Sequence, residues 1–234
     1  MLDLLRISKK ISIETDGAFD VTVQPLWALY DEELSMMDKD VFATEVGKVL
    51  TLIGSEKINL TSDKVGFEMK GMGVSFNGIA QGYITDKVSD HLKDRGFLHA
   101  LVDVGEYSAT GPQQDGAPWR IGLLDPFDQI SVADVVELSS GGLATSGGYG
   151  LVFDPNGENH HLFKPNNGKS SKLYASVTVV APNATLADAF STAFSNMEID
   201  LIQNVIDNRK DIEVRLTYFS GEMQILKSQI KVKR

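Results

Sequence analysis

Cysteine is absent from all 234 residues, so disulfides, a thiolate nucleophile and thiolate metal sites are excluded at once. There is no run of about 20 apolar residues, which excludes a membrane-spanning helix readable from hydropathy. Positive charge is scarce: 22 Lys and Arg stand against 32 Asp and Glu, a net charge of -10. That balance argues against nucleic acid or an anionic membrane surface as a partner. With only four histidines and no cysteine, a structural zinc cluster has too few ligands. Nucleotide fingerprints are missing as well. No G-x-G-x-x-G is present in the central turn, and Gly168-Lys169-Ser170 resembles the end of a P-loop whose first Gly is replaced by Phe163. What remains is an ordinary globular composition, 42% hydrophobic and 23% charged. No repeat or low-complexity linker divides it, so a single α+β domain over residues 1–234 is expected.

The stretch from Val74 to Gly111 organises the chain. A small-residue turn, Asn77-Gly78-Ile79-Ala80-Gln81-Gly82, opens a helix that is expected to run to about Arg95, with Ile84, Val88 and Leu92 as its apolar stripe. Gly96 ends it, and Ala100 to Val104 reads as a buried strand stopped by Gly105. A turn meeting a helix N-terminus offers free N–H groups and a favourable dipole to an anion such as a phosphate. The same pattern serves as a plain structural turn.

Around this centre the chain reads in order. Leu2, Leu5, Ile7 and Ile11 predict an opening helix ending before Thr15, and Pro25 starts a second helix. Asp20 and Thr22 suit either loop capping or function. Lys39 to Ile53 predicts a third helix. Lys57 to Asn59, Val65 to Met69, Trp119 to Leu124 and Ser131 to Leu138 predict strands. Gly141 to Gly150 reads as a flexible loop or as a place where backbone approaches a ligand. Val152 to Phe163 reads as a hairpin, Tyr174 to Ala181 as an apolar strand, and Val214 to Leu226 as a closing hairpin. The basic tail from Lys227 to Arg234 is expected to fray.

Two groups carry candidate chemistry. Asp188 and Thr192 are four apart on a predicted helix and share a face, a carboxylate and a hydroxyl suited to Mg²⁺ or Ca²⁺. Thr185-Leu186-Ala187-Asp188 also fits a capping box, with Asp188 at its third position. His91 and His99 read as surface or packing residues, whereas His160 and His161 adjoin each other and are expected to face opposite ways, so that one can serve as a general base.

Taken together, the segments GAFDVTVQPLW, NGIAQGYITD, LATSGGY, HHLFKPNNG and SVTVVAPNATLADAFSTAF resemble the ApbE family of FAD:protein FMN transferases. The resemblance runs from Gly17 to Met197 in the family's order. It implies a T-fold-like α+β domain with mixed sheets and packed helices, without the family's N-terminal segment and export signal. The activity implied is transfer of FMN from FAD to a Thr or Ser hydroxyl of a redox partner, with Mg²⁺ and release of AMP. By that resemblance Ala18, Phe19, Asp20, Ser75, Gln81 and Leu162 contact the flavin nucleotide. Gly78 through its carbonyl, with Asp188 and Thr192, holds the metal, and His161 is the base. Hydrolysis of FAD by water, or flavin binding without turnover, would use the same residues. The segments SFNGIAQGY, GEY and HHLF are similar to the NosX-like branch linked to nitrous oxide reductase maturation, which implies an exported protein and a NosR-like acceptor. Departures from the pattern are Gln81 where the family carries Lys, Glu106 and Tyr107 where it carries Gly and Asp, and Lys164-Pro165 and Asn167-Gly168 where it carries Asp-Pro and Thr-Gly.

Overall fold

In a computed structural model, residues 1–34, 37–209 and 211–229 are described. The last five residues of the basic tail lie outside them; its first, Lys227, still belongs to a strand.

Five of the six residues of β8 (Ser176–Ala181) are buried, and this apolar run is placed inside a six-stranded sheet. The strand order is β10-β9-β8-β7-β4-β3, and each neighbouring pair is antiparallel. The other members are β3 (Leu101–Asp103), β4 (Tyr107–Ala109), β7 (Gly141–Gly147), β9 (Glu213–Thr217) and β10 (Met223–Lys227). Helix α5 (Ala184–Phe194) lies across β7 and β8, and α4 (Ala80–Asp94) runs beside α5. Helices α1 (Leu2–Glu14) and α6 (Ile199–Arg209) complete this side, where Leu5, Ile11, Phe190, Phe194, Ile202 and Ile206 form the main core. Each fully buried Phe or Ile here contributes roughly 1.5–3 kcal/mol of transfer free energy. A hairpin of β5 (Trp119–Leu124) and β6 (Val132–Leu138) supplies Ile121, Leu123, Val136 and Leu138 to a second apolar cluster, with Ala109 and Leu143 of the large sheet. A third cluster joins α2 (Gln24–Glu33) and α3 (Lys39–Leu50) to the loop at Phe163 through Leu26, Tyr30 and Ile53. The short strands β1 (Ile58–Leu60) and β2 (Val65–Phe67) pair with each other.

The α+β class agrees with the expectation, and four local readings are corrected. The stripe Ile84, Val88, Leu92 is not the packed face of α4: Ile84 is 50% and Val88 37% exposed, while Gly82, Thr85 and Ser89 are buried. The reason is distance. A Cβ on Gly82 would fall 2.2 Å from the Ala184 carbonyl oxygen, so α4 and α5 approach through small residues that bulky side chains would push apart. The small-residue segment 141–147 is a sheet strand, not a loop, for the same reason. A Cβ on Gly142 would meet the Ala184 backbone N at 2.2 Å, so there the backbone is approached by the protein's own helix. Asp188 is not in a capping box, because α5 starts earlier: Asn183 Oδ1 accepts from Leu186 N–H at 2.8 Å, and Asp86 accepts from the Ala184 and Thr185 N–H groups. The hairpin expected over 152–163 reduces to an isolated bridge between Val152 and His160. Helix α6, unread in the sequence, follows Met197.

Candidate functional site

The first turn of α4 and the Asp188–Thr192 face of α5 meet the ends of β4 and β7, and the cavity between them is closed by the 17–23 and 161–165 loops. All ten residues singled out from sequence line this one cavity: Ala18, Phe19, Asp20, Ser75, Gly78, Gln81, His161, Leu162, Asp188 and Thr192.

Asp188 is 4% exposed and its Oδ2 accepts from the Gly82 N–H at 2.9 Å, which ties the helix start to the carboxylate. One turn on, Thr192 faces Gly78 so closely that a Cβ there would sit 2.7 Å from its Oγ1. Gly78 is therefore glycine because the chain passes against this hydroxyl. Thr192 Oγ1 also lies 3.4 Å from Ser146 Oγ, which bonds Ser191 Oγ at 2.7 Å. A second carboxylate, Glu106, is 8% exposed on the same cavity, where the Thr145 backbone N–H donates to it.

Burial raises the Asp188 carboxyl to about 7, against the Gly82 hydrogen bond that lowers it. Burial, then the Asp188 charge, pushes Glu106 up to about 9. Both groups ionise more readily in the unfolded chain, so each opposes folding once it is charged. Their penalty is absent below about 4, grows as pH rises through about 7 for Asp188 and about 9 for Glu106, and is complete above that. Chelated protein is therefore expected to melt at progressively lower temperature between pH 5 and 9, and added Mg²⁺ to remove most of that slope. A flat melting profile over this range would show that the two carboxylates are compensated from within.

Among the described residues no Lys or Arg lines the cavity, and no three His, Asp or Glu side chains converge as a ready metal cluster. The oxygen donors around the first turns of α4 and α5 include the carboxylates of Asp188 and Glu106, the Thr192 hydroxyl and the backbone at Gly78. Such a set fits a hard cation such as Mg²⁺.

The two histidines differ in kind. His160 is buried and spent: its Nε2 bonds the Ser171 carbonyl at 2.7 Å and its Nδ1 accepts from the Leu162 N–H at 3.3 Å. His161 sits on the cavity, with Nδ1 3.2 Å from the Leu151 carbonyl and its ring edge-on to Trp27. With Nδ1–H donating to that carbonyl, Nε2 is left as the acceptor. Burial holds His161 below the usual histidine range, which keeps it neutral near pH 7.

Asp20 is placed on the wall rather than in the cavity's chemistry. Its Oδ1 accepts from the Thr22 N–H and hydroxyl, at 2.8 and 2.6 Å, and its Oδ2 from the Ser55 N–H at 2.8 Å. It fixes the loop that presents Ala18 and Phe19. Ser75 N–H is bound to the Val21 carbonyl at 2.7 Å, which fastens the α4 turn to that loop.

Several cavity residues were not singled out as site residues from the sequence, among them Asn196 and, inside the matched segments, Trp27, Ser146 and Tyr149. Asn196 Nδ2 donates to the Phe163 and Ala18 carbonyls at 2.9 and 3.3 Å, joining the two closing loops, and its buried Oδ1 has no partner. It follows Asp188 and Thr192 by a further step of four, the one pattern that pointed to it.

Residues 1–216 match the profile of the ApbE family. A protein of Escherichia coli K12 named FAD:protein FMN transferase is 31% identical over 236 residues, covering 95% of this chain and 66% of the relative. One of the same name from Vibrio cholerae is 31% identical over 192 residues, covering 78% of this chain and 56% of the relative. The chain thus spans between 56% and 66% of the length of these two relatives. Among solved structures, the ApbE protein of Thermotoga maritima superposes with a TM-score of 0.85 at 27% identity, covering 97% of this chain and 75% of that one. The flavinyl transferase ApbE of Pseudomonas stutzeri does so with a TM-score of 0.77 at 27% identity, covering 97% and 71%. By profile, by sequence and by fold, the chain belongs to the ApbE family.

Proposed function

We propose that this chain is an Mg²⁺-dependent FAD:protein FMN transferase, moving FMN from FAD to a Thr or Ser hydroxyl of a redox partner protein and releasing AMP. The observation that carries the reading is the placement, in one cavity, of a neutral histidine with a free Nε2, an Asp–Thr oxygen pair and a helix N-terminus. The names of the relatives agree with it.

Apolar groups at one end of the cavity, Phe19, Trp27 and Leu162, suit a flavin ring. At the start of α4 the Ile79 and Ala80 N–H groups bond the Phe76 carbonyl and the Gly82 N–H bonds Asp188, so what the turn offers a pyrophosphate is chiefly the positive end of the helix dipole. Asp188, Thr192 and the Gly78 carbonyl would hold Mg²⁺, which supplies charge neutralisation for the phosphates during displacement. His161 Nε2 accepts the proton of the acceptor hydroxyl as its oxygen attacks the FMN-side phosphorus. The new O–P bond forms while the pyrophosphate P–O bond breaks, and the bridging oxygen leaves with AMP.

Incubation with FAD, Mg²⁺ and a Thr- or Ser-bearing acceptor peptide, followed by mass spectrometry, tests the reading. An acceptor heavier by FMN, with AMP in solution, is the expected result. Free FMN with AMP would make the chain a pyrophosphatase, and unchanged FAD a binding module. A separate expectation concerns affinity. FAD should bind at least tenfold more tightly than riboflavin, and Mg²⁺ should widen the gap, because the α4 turn and the cation both act on phosphate. Calorimetry with each flavin, with and without Mg²⁺, measures this; equal affinities would remove the phosphate role of the turn.

A further inference from the structure

Glu106 is a buried carboxyl on the cavity that the mechanism above leaves unused. The turn between β3 and β4 delivers it: Gly105 has a φ of +100°, and a Cβ there would lie 2.9 Å from Gln81 Nε2. The turn is thus pressed against the first turn of α4. In that same turn Asp188 accepts from the Gly82 N–H, and it is near enough for its charge to act on Glu106. Two carboxyls therefore stand at one helix start. The β4–β7 pairing ends at Tyr107 and Leu143, and just beyond it the Thr145 N–H donates to Glu106, leaving the rest of its carboxylate to the cavity.

Charge bookkeeping makes this arrangement incomplete. The helix N-terminus offers about half a positive charge. Against it stand two carboxylates and, on the proposed reading, a pyrophosphate with about two negative charges more. Among the described residues no Lys or Arg lines the cavity to offset them. Buried carboxyls are neutralised by a proton or paired with a cation, and here either partner comes from solution.

We propose that Glu106 is a cation-holding carboxylate of this cavity, acting with Asp188 and Thr192 on the divalent ion. This rests on the proposed function for the ion and for Asp188 and Thr192 as its ligands, and goes beyond it in adding Glu106. An additional carboxylate raises affinity for a hard cation, since charge count is a principal determinant at oxygen sites. It also opposes folding whenever the ion is absent, which a merely structural hydrogen bond to Thr145 would not do.

The test uses the full chain, chelated and free of flavin. Calorimetric titration with Mg²⁺ and thermal melting are run on the parent, Glu106→Gln, Glu106→Asp and Asp188→Asn. Glu106→Gln is expected to weaken Mg²⁺ at least tenfold while raising the melting temperature of the metal-free protein, because an amide replaces a buried carboxylate. Glu106→Asp, which keeps the charge, should recover part of the affinity. Mg²⁺ affinity within threefold of the parent in Glu106→Gln, with binding lost in Asp188→Asn, would overturn the role of Glu106 and leave the metal reading intact. A lower metal-free melting temperature in Glu106→Gln would make Glu106 a structural cap of β7 and overturn it too. Absence of Mg²⁺ binding in the parent, with and without FAD, would instead sink the metal part of the proposed function and this inference with it.

Discussion

Asp188→Asn is expected to lower Mg²⁺-dependent turnover by about 10³-fold or more while the protein stays folded. The expectation follows from where the carboxylate is held. Asp188 is 4% exposed and fixed by the Gly82 N–H at 2.9 Å, so one oxygen orients the group and the other is left for the cavity. Asparagine keeps an acceptor for that N–H but removes the charge. Cation-assisted displacement of phosphate rests on several kcal/mol of charge stabilisation, and each 1.36 kcal/mol is about tenfold in rate. Stability should hold or rise, since burial already disfavours the charged carboxyl. The capping role that the sequence allowed for Asp188 predicts the reverse: lost stability and retained rate. The structure assigns that cap to Asn183 and Asp86. Turnover measured by mass spectrometry beside a thermal melt separates the two, and turnover within about threefold of the parent, under 1 kcal/mol, would remove Asp188 from the metal.

The elements were legible where local signals decide them. Pro25 lies in the first turn of α2, Gly96 ends α4 at a φ of +86°, and the strand Trp119–Leu124 is found at the bounds its alternation predicts. The candidate site was legible through ordered motifs, since residues as far apart as Phe19, Gly78, His161 and Asp188 line one cavity. Illegible were features set by close approach between distant segments. The packed face of α4 is Gly82, Thr85 and Ser89 because Ala184 abuts Gly82, and no periodicity of apolar residues reports that. Likewise β7 is glycine-rich because α5 lies on it, whereas sequence propensity reads glycine as loop. Glu106 stood out in the sequence only as a departure from the family's pattern, and the places of Asn196 and Glu106 on the cavity were set by contacts with distant segments.

His161→Ala is expected to lower transfer by roughly 10²–10⁴-fold, the range of a general base, with FAD binding retained. The neighbouring His160→Ala serves as its control because the two rings have opposite duties. His160 Nε2 and Nδ1 are both committed, to the Ser171 carbonyl and the Leu162 N–H, inside the fold. Its removal leaves two buried backbone groups unpaired at about 1–3 kcal/mol each, so His160→Ala should show a lower melting temperature first and a smaller loss of rate. His161 has one nitrogen on the Leu151 carbonyl and one facing the cavity, so its loss should leave melting nearly unchanged. The pH–rate profile gives a readout that folding does not move. Desolvation holds the His161 pKa below the usual value, so the acid limb of the parent should fall below about pH 6.5, and His161→Ala should lack that limb. If the limb persists in His161→Ala, another group takes the proton; if His160→Ala loses it instead, the assignment of the two histidines is reversed.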